Sequence, residues 1–282
     1  MDRELDRLRL AQCEETRGRV LRGDGVIGIL PVDEIEQMVA HYRALGDAGV
    51  ADAWLGLARY HLDDNGLHTS LADAADCACR ALALGADDAR TLLTRLLPAL
   101  RSAEVDDPPH APAANGAVEA ALARDDDGSA HYLAGLLAFH GFGRTKDLAA
   151  CARLHEAAAK RGNADAMFEL YVLLSTGTGV AKDEAAALTW CRAAGEHDHA
   201  RACYNLGAFY ATGRGVAQDD AAALRWYERA SNAGHGRATA TLAYLVHSGT
   251  GCAPDPDRAE TLFELAAEQG FDVESFREQL GI

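Results

Sequence analysis

The chain lacks the apolar segments that membrane and exported proteins carry. It has no run of about 18 apolar residues, the length that a membrane-spanning helix needs. Its start, MDRELDRLRLAQCEETRGR, has charged residues where a secretion signal would have an apolar core. We therefore predict neither a signal peptide nor insertion into a membrane.

Paired cysteines are also missing. The seven cysteines are odd in number, and no two of them form a CxxC motif. A disulfide framework normally uses an even count, and a structural zinc site normally uses closely spaced pairs. Reduced thiols in the cytoplasm are the better interpretation.

Positive charge and proline are scarce. The chain has 27 lysines and arginines against 43 acidic residues, which gives a net charge of −16. Nucleic acid and anionic membranes would repel such a chain, so we expect neither as the main partner. The charge suits a partner with a basic surface, or it serves solubility alone. Only seven prolines accompany a 49% hydrophobic content, and alanine and leucine are abundant, which favours an all-α protein.

One stretch, Ala202–Gly234, is written four times at a spacing of 36 residues without a gap. A fixed period of this length indicates a stacked repeat array. Within this copy, Ala202, Leu206 and Tyr210 share one face of a helix, and the turn Gly213-Arg214-Gly215 ends that helix. An aspartate, Asp219 or Asp220, then caps a second helix. Each repeat therefore reads as two helices, which bury their apolar faces by stacking on the neighbouring repeats.

The repeat has the pattern A-x3-LG-x2-Y-x2-G-x-G-V-x2-D-x2-A-x3-W-x3-A-x3-G, which resembles the Sel-1-like repeat, a relative of the tetratricopeptide repeat. The match is tight at Ala202–Gly234, good at Ala166–Gly195, and weaker at Ala130–Gly162 and Ala238–Gly270. The resemblance implies a right-handed α-solenoid, a superhelix of stacked antiparallel helix pairs.

The repeats divide the chain into three regions. Residues 128–270 hold the four repeats, and residues 271–282 form a C-terminal capping helix, because the last unit of an array needs a cover. Residues 1–127 hold degenerate helical repeats, of which Ala53–Gly85 is a worn copy. A proline-rich loop near residues 104–115 interrupts the period. We interpret it as an insertion within the array, with a linker between two domains as the alternative.

The resemblance also places the candidate binding residues. Related arrays expose certain first-helix positions on a concave surface, and the corresponding residues here are aromatic, charged or amide side chains. They are Tyr132, Phe168, Tyr204, Tyr244, Arg201, Arg237, Glu169 and Asn205. Aromatic residues and arginine dominate binding hot spots. The same spacing also fits aromatic residues that only pack in the core.

The sequence shows no catalytic constellation and no cofactor motif. The strongest metal candidate is Glu196-His197-Asp198-His199, with Cys203 one helical turn later and His235 in the next repeat. It lies in a turn, where solvated polar residues are expected, so we predict no metal site. Asp125-Asp126-Asp127 precedes a helix, where carboxylates interact favourably with the free N–H groups, and helix capping is the default interpretation.

Two classes of function remain. The resemblance implies a noncatalytic scaffold or adaptor that holds a protein or peptide. Its narrower form is an immunity protein that neutralises a bacterial secreted toxin, since arrays of this kind recur among such proteins. The alternatives are an enzyme, such as a hydrolase, since activity has been ascribed to some cysteine-rich relatives, or a regulatory signalling adaptor.

Overall fold

The structure, a computed structural model, describes residues 10–15, 32–62, 70–104 and 106–281. The start of the predicted N-terminal region therefore lies partly outside the described residues. Two compact units are distinguished, Met1–Leu154 and His155–Ile282, here called the N-terminal and C-terminal units. No strand occurs in the described ranges.

From residue 32 onward, the described part of the N-terminal unit forms a series of α-helices, the last of which continues into the C-terminal unit. In chain order they are α1 (Val32–Asp47), α2 (Ala51–Leu62), α3 (Leu71–Ala83), α4 (Asp88–Ser102), α5 (Ala111–Ala121), α6 (Ser129–His140) and α7 (Leu148–Ala159). The boundary between the units falls inside α7. Successive helices from α1 to α4 pack against one another, and α5 packs on both α3 and α6.

The C-terminal unit continues the same plan. Its remaining helices are α8 (Ala164–Thr176), α9 (Glu184–Glu196), α10 (Ala200–Thr212), α11 (Asp220–Asn232), α12 (Gly236–Ser248), α13 (Pro256–Glu268) and α14 (Val273–Leu280). The most extensive contacts are within the pairs α8–α9, α10–α11 and α12–α13, and each pair packs on the next. The predicted fold class, an all-α solenoid of stacked antiparallel helix pairs, is confirmed.

The turn within each repeat has the predicted chemistry. The first helices end at glycines in the left-handed conformation, where a side chain would be strained: Gly141, Gly177, Gly213 and Gly249. The second helices α9, α11 and α13 begin at aspartates whose carboxylates accept the backbone N–H three residues later. These are Asp183, Asp219 and Asp255, at 2.8 to 3.0 Å.

The proline-rich connection is shorter than the sequence suggested. Helix α5 begins at Ala111, inside the range assigned to a loop near residues 104–115. The reason is that Pro112 lies in the first helical turn, where a proline needs no N–H partner and its fixed φ suits a helix. Just before α5, the Nδ1 atom of His110 lies 2.8 Å from the Asp76 carboxylate of α3. The connection is thus attached to helix α3 of the N-terminal unit, on which α5 also packs.

The aspartates before α6 act as helix caps, as predicted. The Asp125 carboxylate accepts the backbone N–H groups of Ala130 at 3.1 Å and His131 at 2.9 Å, and it also pairs with the His131 ring. Asp127 accepts the backbone N–H of Ser129 at 2.9 Å. The Asp125 side chain is almost fully buried, so its charge depends on these hydrogen bonds.

The terminal helix α14 covers part of the last repeat. Phe271, Val273 and Phe276 pack against the cluster that contains Phe263 of α13. The guanidinium of Arg277 lies 4.8 Å from the centroid of the Phe263 ring. This contact reduces the apolar surface that the last helix pair would otherwise expose.

One turn between repeats departs from the others. Gly162, Gly234 and Gly270 have φ between +79° and +93°, and the corresponding position in the remaining repeat is Asp198, with φ +57°. The Asp198 carboxylate pairs with Arg229 of α11 at 2.7 Å, and both groups are substantially exposed. Exposed pairs contribute at most about 1 kcal/mol, so the ion pair and the backbone strain are of similar size.

This comparison predicts a difference between two substitutions. Asp198→Gly and Asp198→Ala both remove the ion pair, but only alanine must hold a positive φ. We expect the free energy of unfolding of Asp198→Gly to exceed that of Asp198→Ala by about 1 kcal/mol. Urea denaturation of the two variants measures it. Equal stabilities would contradict this expectation, because they would show that the turn in the alanine variant changes its backbone conformation and avoids the positive φ.

Candidate partner-binding site

The candidate site lies on the first helices of the C-terminal unit, α8, α10 and α12, near their N-termini. The residue that caps each helix accepts the N–H three residues later. In α8 it is Asn163, whose side chain bonds the N–H of Ala166 at 2.9 Å. In α10 and α12 it is a histidine, His199 or His235, whose Nδ1 atom accepts the N–H of Ala202 or Ala238 at 3.2 Å.

These histidines complete an aromatic ladder. The ring of His199 stacks on Phe168 of the preceding repeat, with centroids 4.5 Å apart and planes at 19°. The ring of His235 stacks on Tyr204 in the same way, at 4.9 Å and 10°. The aromatic position two residues after the leading alanine therefore connects each first helix to the cap of the next.

The two aromatic residues differ in exposure. Phe168 is only 3% exposed, because His199 covers one part of its ring and the guanidinium of Arg201 lies 4.6 Å from its centroid. Tyr204 is half-buried and also lies 5.7 Å from the Tyr227 ring of α11. Phe168 thus supports the surface rather than forming it, which corrects the expectation that its ring is available to a partner.

Charged groups surround the ladder. Arg201 and Arg237 are exposed in the first turns of α10 and α12. Glu169 of α8 is half-buried, and burial raises the pKa of its carboxyl, although the charges of Arg201 and His199 act in the opposite direction. Phe168, Glu169 and Arg201 are therefore brought into one cluster with His199.

The remaining candidates lie around this cluster or apart from it. The Asn205 side chain donates to the Tyr171 hydroxyl at 3.5 Å, which ties α10 to α8. Tyr244 is half-buried in α12, about two helical turns after Arg237. Tyr132 belongs to the N-terminal unit, where it is half-buried and packs against that unit's core.

The His235 cap makes the C-terminal unit sensitive to pH. Burial lowers the pKa of His235, and the charges of Arg201, Arg237 and His199 lower it further, against a hydrogen bond with its own backbone. The folded state therefore favours the neutral ring, and this stabilisation is present above the unfolded pKa of about 6.5. It is lost as the pH falls through the folded pKa.

We expect the free energy of unfolding to decrease between about pH 7 and pH 5 for this reason. The variant His235→Asn keeps a capping side chain, as Asn163 shows two repeats earlier, but does not titrate. Its stability should fall less over the same interval. Urea denaturation at several pH values checks this, and identical slopes for the two proteins would contradict it.

Comparison with known proteins gives a family assignment. The sequence model of the Sel1 repeat matches residues 128–163, 164–199, 200–235 and 237–271, which is about half of the chain. The chain belongs to the Sel1 repeat family. Sel1 repeats are in general noncatalytic scaffolds for protein interactions. A comparison with curated proteins gives no match.

Several solved structures are similar to this Sel1 repeat protein. A Sel1 repeat protein from Oxalobacter formigenes is 29% identical with a TM-score of 0.52, over 63% of this chain and 68% of that chain. The Escherichia coli protein c5321, a protective antigen of uropathogenic strains with an SLR fold, is 25% identical with a TM-score of 0.56. That match covers 85% of this chain, which spans only 50% of c5321.

A more distant likeness carries no argument about function. The immunity protein Pa5087 from Pseudomonas aeruginosa is 16% identical with a TM-score of 0.44, over 92% of this chain and 82% of that chain.

The residues of the metal candidate, Glu196-His197-Asp198-His199, make other contacts in the structure. His199 uses its Nδ1 atom to cap α10, and its Nε2 atom lies 3.4 Å from the Asp165 carboxylate. Asp198 pairs with Arg229 instead of facing His199. Across the described part of the chain, no three histidine, cysteine, aspartate or glutamate side chains lie close enough together to hold a metal ion.

Sequence reasoning missed the histidine caps of the Sel1 repeats. The available signal was that His199 and His235 are 36 residues apart, directly before the first helices. It also missed a cavity lined by Tyr171, Phe209 and Arg214.

None of the described helices is both long and apolar enough to cross a membrane.

Proposed function

We propose that this Sel1 repeat protein is a noncatalytic scaffold that binds a partner protein or peptide along the first helices of its repeats. The observation that carries the proposal is the aromatic–histidine ladder, which has exposed Arg201 and Arg237 beside it. Such a surface combines the half-buried Tyr204 ring with arginine, and both residue types are enriched in binding hot spots.

In the C-terminal unit, the direct contacts are assigned to the accessible members of the candidate set: Tyr204, Tyr244, Arg201, Arg237, Glu169 and Asn205. Tyr132 of the N-terminal unit is a separate candidate contact. Phe168 acts by holding Arg201 and His199 in place. The rings of the ladder are held by their stacking contacts, Phe168 on His199 and Tyr204 on His235. A partner that binds it does so without the entropic cost of ordering loose side chains.

The partner is assigned a basic surface. The chain carries a net charge of −16, and complementary potential increases the rate of association and the selectivity for a cationic partner. Under this proposal the rate of association falls steeply as salt is added, while the rate of dissociation changes little.

A narrower version makes the protein an immunity protein for a basic secreted toxin. It rests on the same net charge. A toxin-like gene next to the gene for this chain would support it, and growth assays with that toxin would test it directly. The ladder does not support the hydrolase alternative. The Nδ1 atoms of His199 and His235 accept backbone N–H groups at helix caps, and both rings stack against aromatic rings.

Capture from a lysate of the parent cell tests the proposal. The altered bait is the double variant Arg201→Ala/Arg237→Ala, and its control is Arg192→Ala/Arg225→Ala, which removes two exposed arginines from the second helices α9 and α11. A partner retained by wild-type protein and the control but lost by the altered bait supports the first-helix surface. Equal retention by all three rejects it.

The free cysteines support a reducing compartment, in line with a cytoplasmic location. Six of the seven are buried, and Cys252 is half-buried. Burial raises the pKa of Cys77, Cys79 and Cys191 to about 12. None of the seven is in a disulfide.

The cysteines give a quantitative prediction. Because the thiolate is the reactive form, buried thiols with raised pKa values should react at least about 100-fold more slowly than Cys252. A thiol reagent at pH 8 should therefore modify one cysteine of the native protein quickly, and all seven after denaturation. Mass spectrometry of digested protein identifies the site. Rapid modification at several cysteines would show that the repeats open readily.

A further inference from the structure

The C-terminal unit contains a cavity of about 80 Å³ between the repeats 164–199 and 200–235. Tyr171 and Ser175 of α8, Ala187 and Leu188 of α9, and Phe209 of α10 form its walls. Glu184, Arg214 and Gly215 form its rim. The cavity borders the ladder, because the Tyr171 ring lies 5.5 Å from the Phe168 ring, and it extends from there toward the C-terminal ends of the first helices.

A reversal in the repeat sequence builds this cavity. Three repeats place a small residue on the first helix and an aromatic residue on the second helix twenty positions later: Gly135 and His155, Gly207 and Tyr227, Ala243 and Phe263. The repeat 164–199 reverses the pair, with Tyr171 first and Cys191 second. The aromatic ring therefore comes from α8, where it lies edge-on to Phe209 with centroids 6.4 Å apart.

The next junction between repeats is closed at the corresponding place. A Cβ atom on Gly251 would lie 2.7 Å from the backbone carbonyl carbon of Asp220 and 3.0 Å from a Leu224 methyl group. A Cβ atom on Gly215 would contact only a Leu188 methyl group, at 3.4 Å. The open space thus belongs to one junction and is not a general property of the repeat.

The polar groups at the cavity have unused capacity. The Tyr171 hydroxyl accepts from Asn205, and its own hydrogen is not donated to any described residue. Arg214 forms no ion pair within the described ranges, and its guanidinium lies 5.8 Å from the Phe209 ring centroid. The charge of Glu184 is balanced by Lys182, whose ammonium group is 2.8 Å away. The rim therefore has one net positive charge, on a chain that is strongly acidic.

We infer that this cavity binds a short branched aliphatic group that carries a carboxylate, as the last residue of a partner chain would supply. Apolar walls from Ala187, Leu188 and Phe209 enclose the aliphatic group. Arg214 pairs with the carboxylate, and the Tyr171 hydroxyl donates to it. The volume is about half of the ~150 Å³ apolar cavity that accommodates benzene, which suits a leucine or valine side chain. This inference rests on the proposed function in taking the occupant from a protein partner.

A titration with N-acetyl-L-leucine tests the cavity without the partner. The full ¹⁵N-labelled chain is followed by amide chemical shifts, and matched titrations use N-acetyl-L-leucinamide, which lacks the carboxylate, and N-acetyl-glycine, which lacks the side chain. Shifts concentrated at Ser175, Leu188 and Gly215, with at least tenfold weaker binding of both control compounds, are expected. Shifts spread over the surface, or equal binding of the amide, would overturn the inference.

Variants of the rim complete the test. Arg214→Thr places at the rim the residue that the neighbouring repeats carry there, Thr178 and Thr250, so the fold should tolerate it. It should weaken N-acetyl-L-leucine binding at least tenfold, while Arg225→Gln, which removes an exposed charge of the same unit, should not. If the Arg214→Thr variant does not fold, the same titration uses Arg214→Gln. Unchanged affinity in the Arg214 variant contradicts the assignment.

The capture experiment and the titration fail separately. Loss of capture in the Arg201→Ala/Arg237→Ala bait, without any binding of N-acetyl-L-leucine, would leave the scaffold function standing and remove the cavity from it. Binding of N-acetyl-L-leucine without capture of a partner through the first helices would leave the cavity standing as a binding site and remove the scaffold function of the first helices.

Discussion

Replacing Gly207 by tyrosine will destabilise the C-terminal unit by at least about 3 kcal/mol, because no space exists for a side chain there. A Cβ atom at this position would lie 2.7 Å from the ring of Tyr227, which is itself 4% exposed. The ring is held between helices and cannot move aside. Replacing Tyr227 by cysteine alone will remove a buried ring and leave a cavity, at a cost of about 3 kcal/mol.

The double variant Gly207→Tyr/Tyr227→Cys will recover about half of the two losses taken together. It reproduces the arrangement of the preceding repeat, where Tyr171 and Cys191 occupy the same two positions. We expect a coupling free energy of about 3 kcal/mol between the two substitutions. Urea denaturation of the two single variants and the double variant measures it. Losses that add to within about 0.5 kcal/mol would show that the two positions do not share one space.

Removing the Asp125 carboxylate will have the second large effect, in the N-terminal unit. In Asp125→Ala, the N–H groups of Ala130 and His131 and the His131 ring lose their common acceptor at a buried site. Each unsatisfied buried donor costs about 1 to 3 kcal/mol, so we expect a loss of about 4 kcal/mol. The matched control is Asp126→Ala, an exposed neighbour, which should change stability by less than about 0.5 kcal/mol.

The effect of Asp125 also has a pH signature. Burial of the carboxyl acts to raise its pKa, but the hydrogen bonds from His131 and Ala130 outweigh burial and lower the pKa. The stabilisation is therefore complete above the unfolded pKa of about 3.9 and is lost as the pH falls through the folded pKa. The difference in free energy of unfolding between wild type and Asp125→Ala should shrink below pH 4. Fluorescence of Trp54, the one tryptophan of this unit, follows the transition.

Much of the fold could be predicted because the same residues mark the ends and starts of helices in each repeat. Glycine at Gly213 and aspartate at Asp219 fix where one helix ends and the next begins, and both depend only on nearby backbone. The connection before Ala111 was harder to place, since the prolines that suggested a loop include Pro112, which suits a first helical turn.

The candidate site was predicted in part, and the gap has a physical cause. Spacing placed Phe168 and Tyr204 on equivalent faces, but it could not tell which ring remains accessible. That depends on side chains from the next repeat, His199 and Arg201, which cover Phe168. The cavity beside Arg214 was invisible for a similar reason, because it arises from a volume exchange between two helices and not from a local motif.

The most direct test of the account is hydrogen exchange of the chain with and without its captured partner. We predict slower exchange in the complex at the N-terminal halves of the first helices, around residues 164–169, 200–205 and 236–241. The second helices α11 and α13 should exchange as they do in the free protein. Protection confined to the second helices, with none at the ladder, would contradict it.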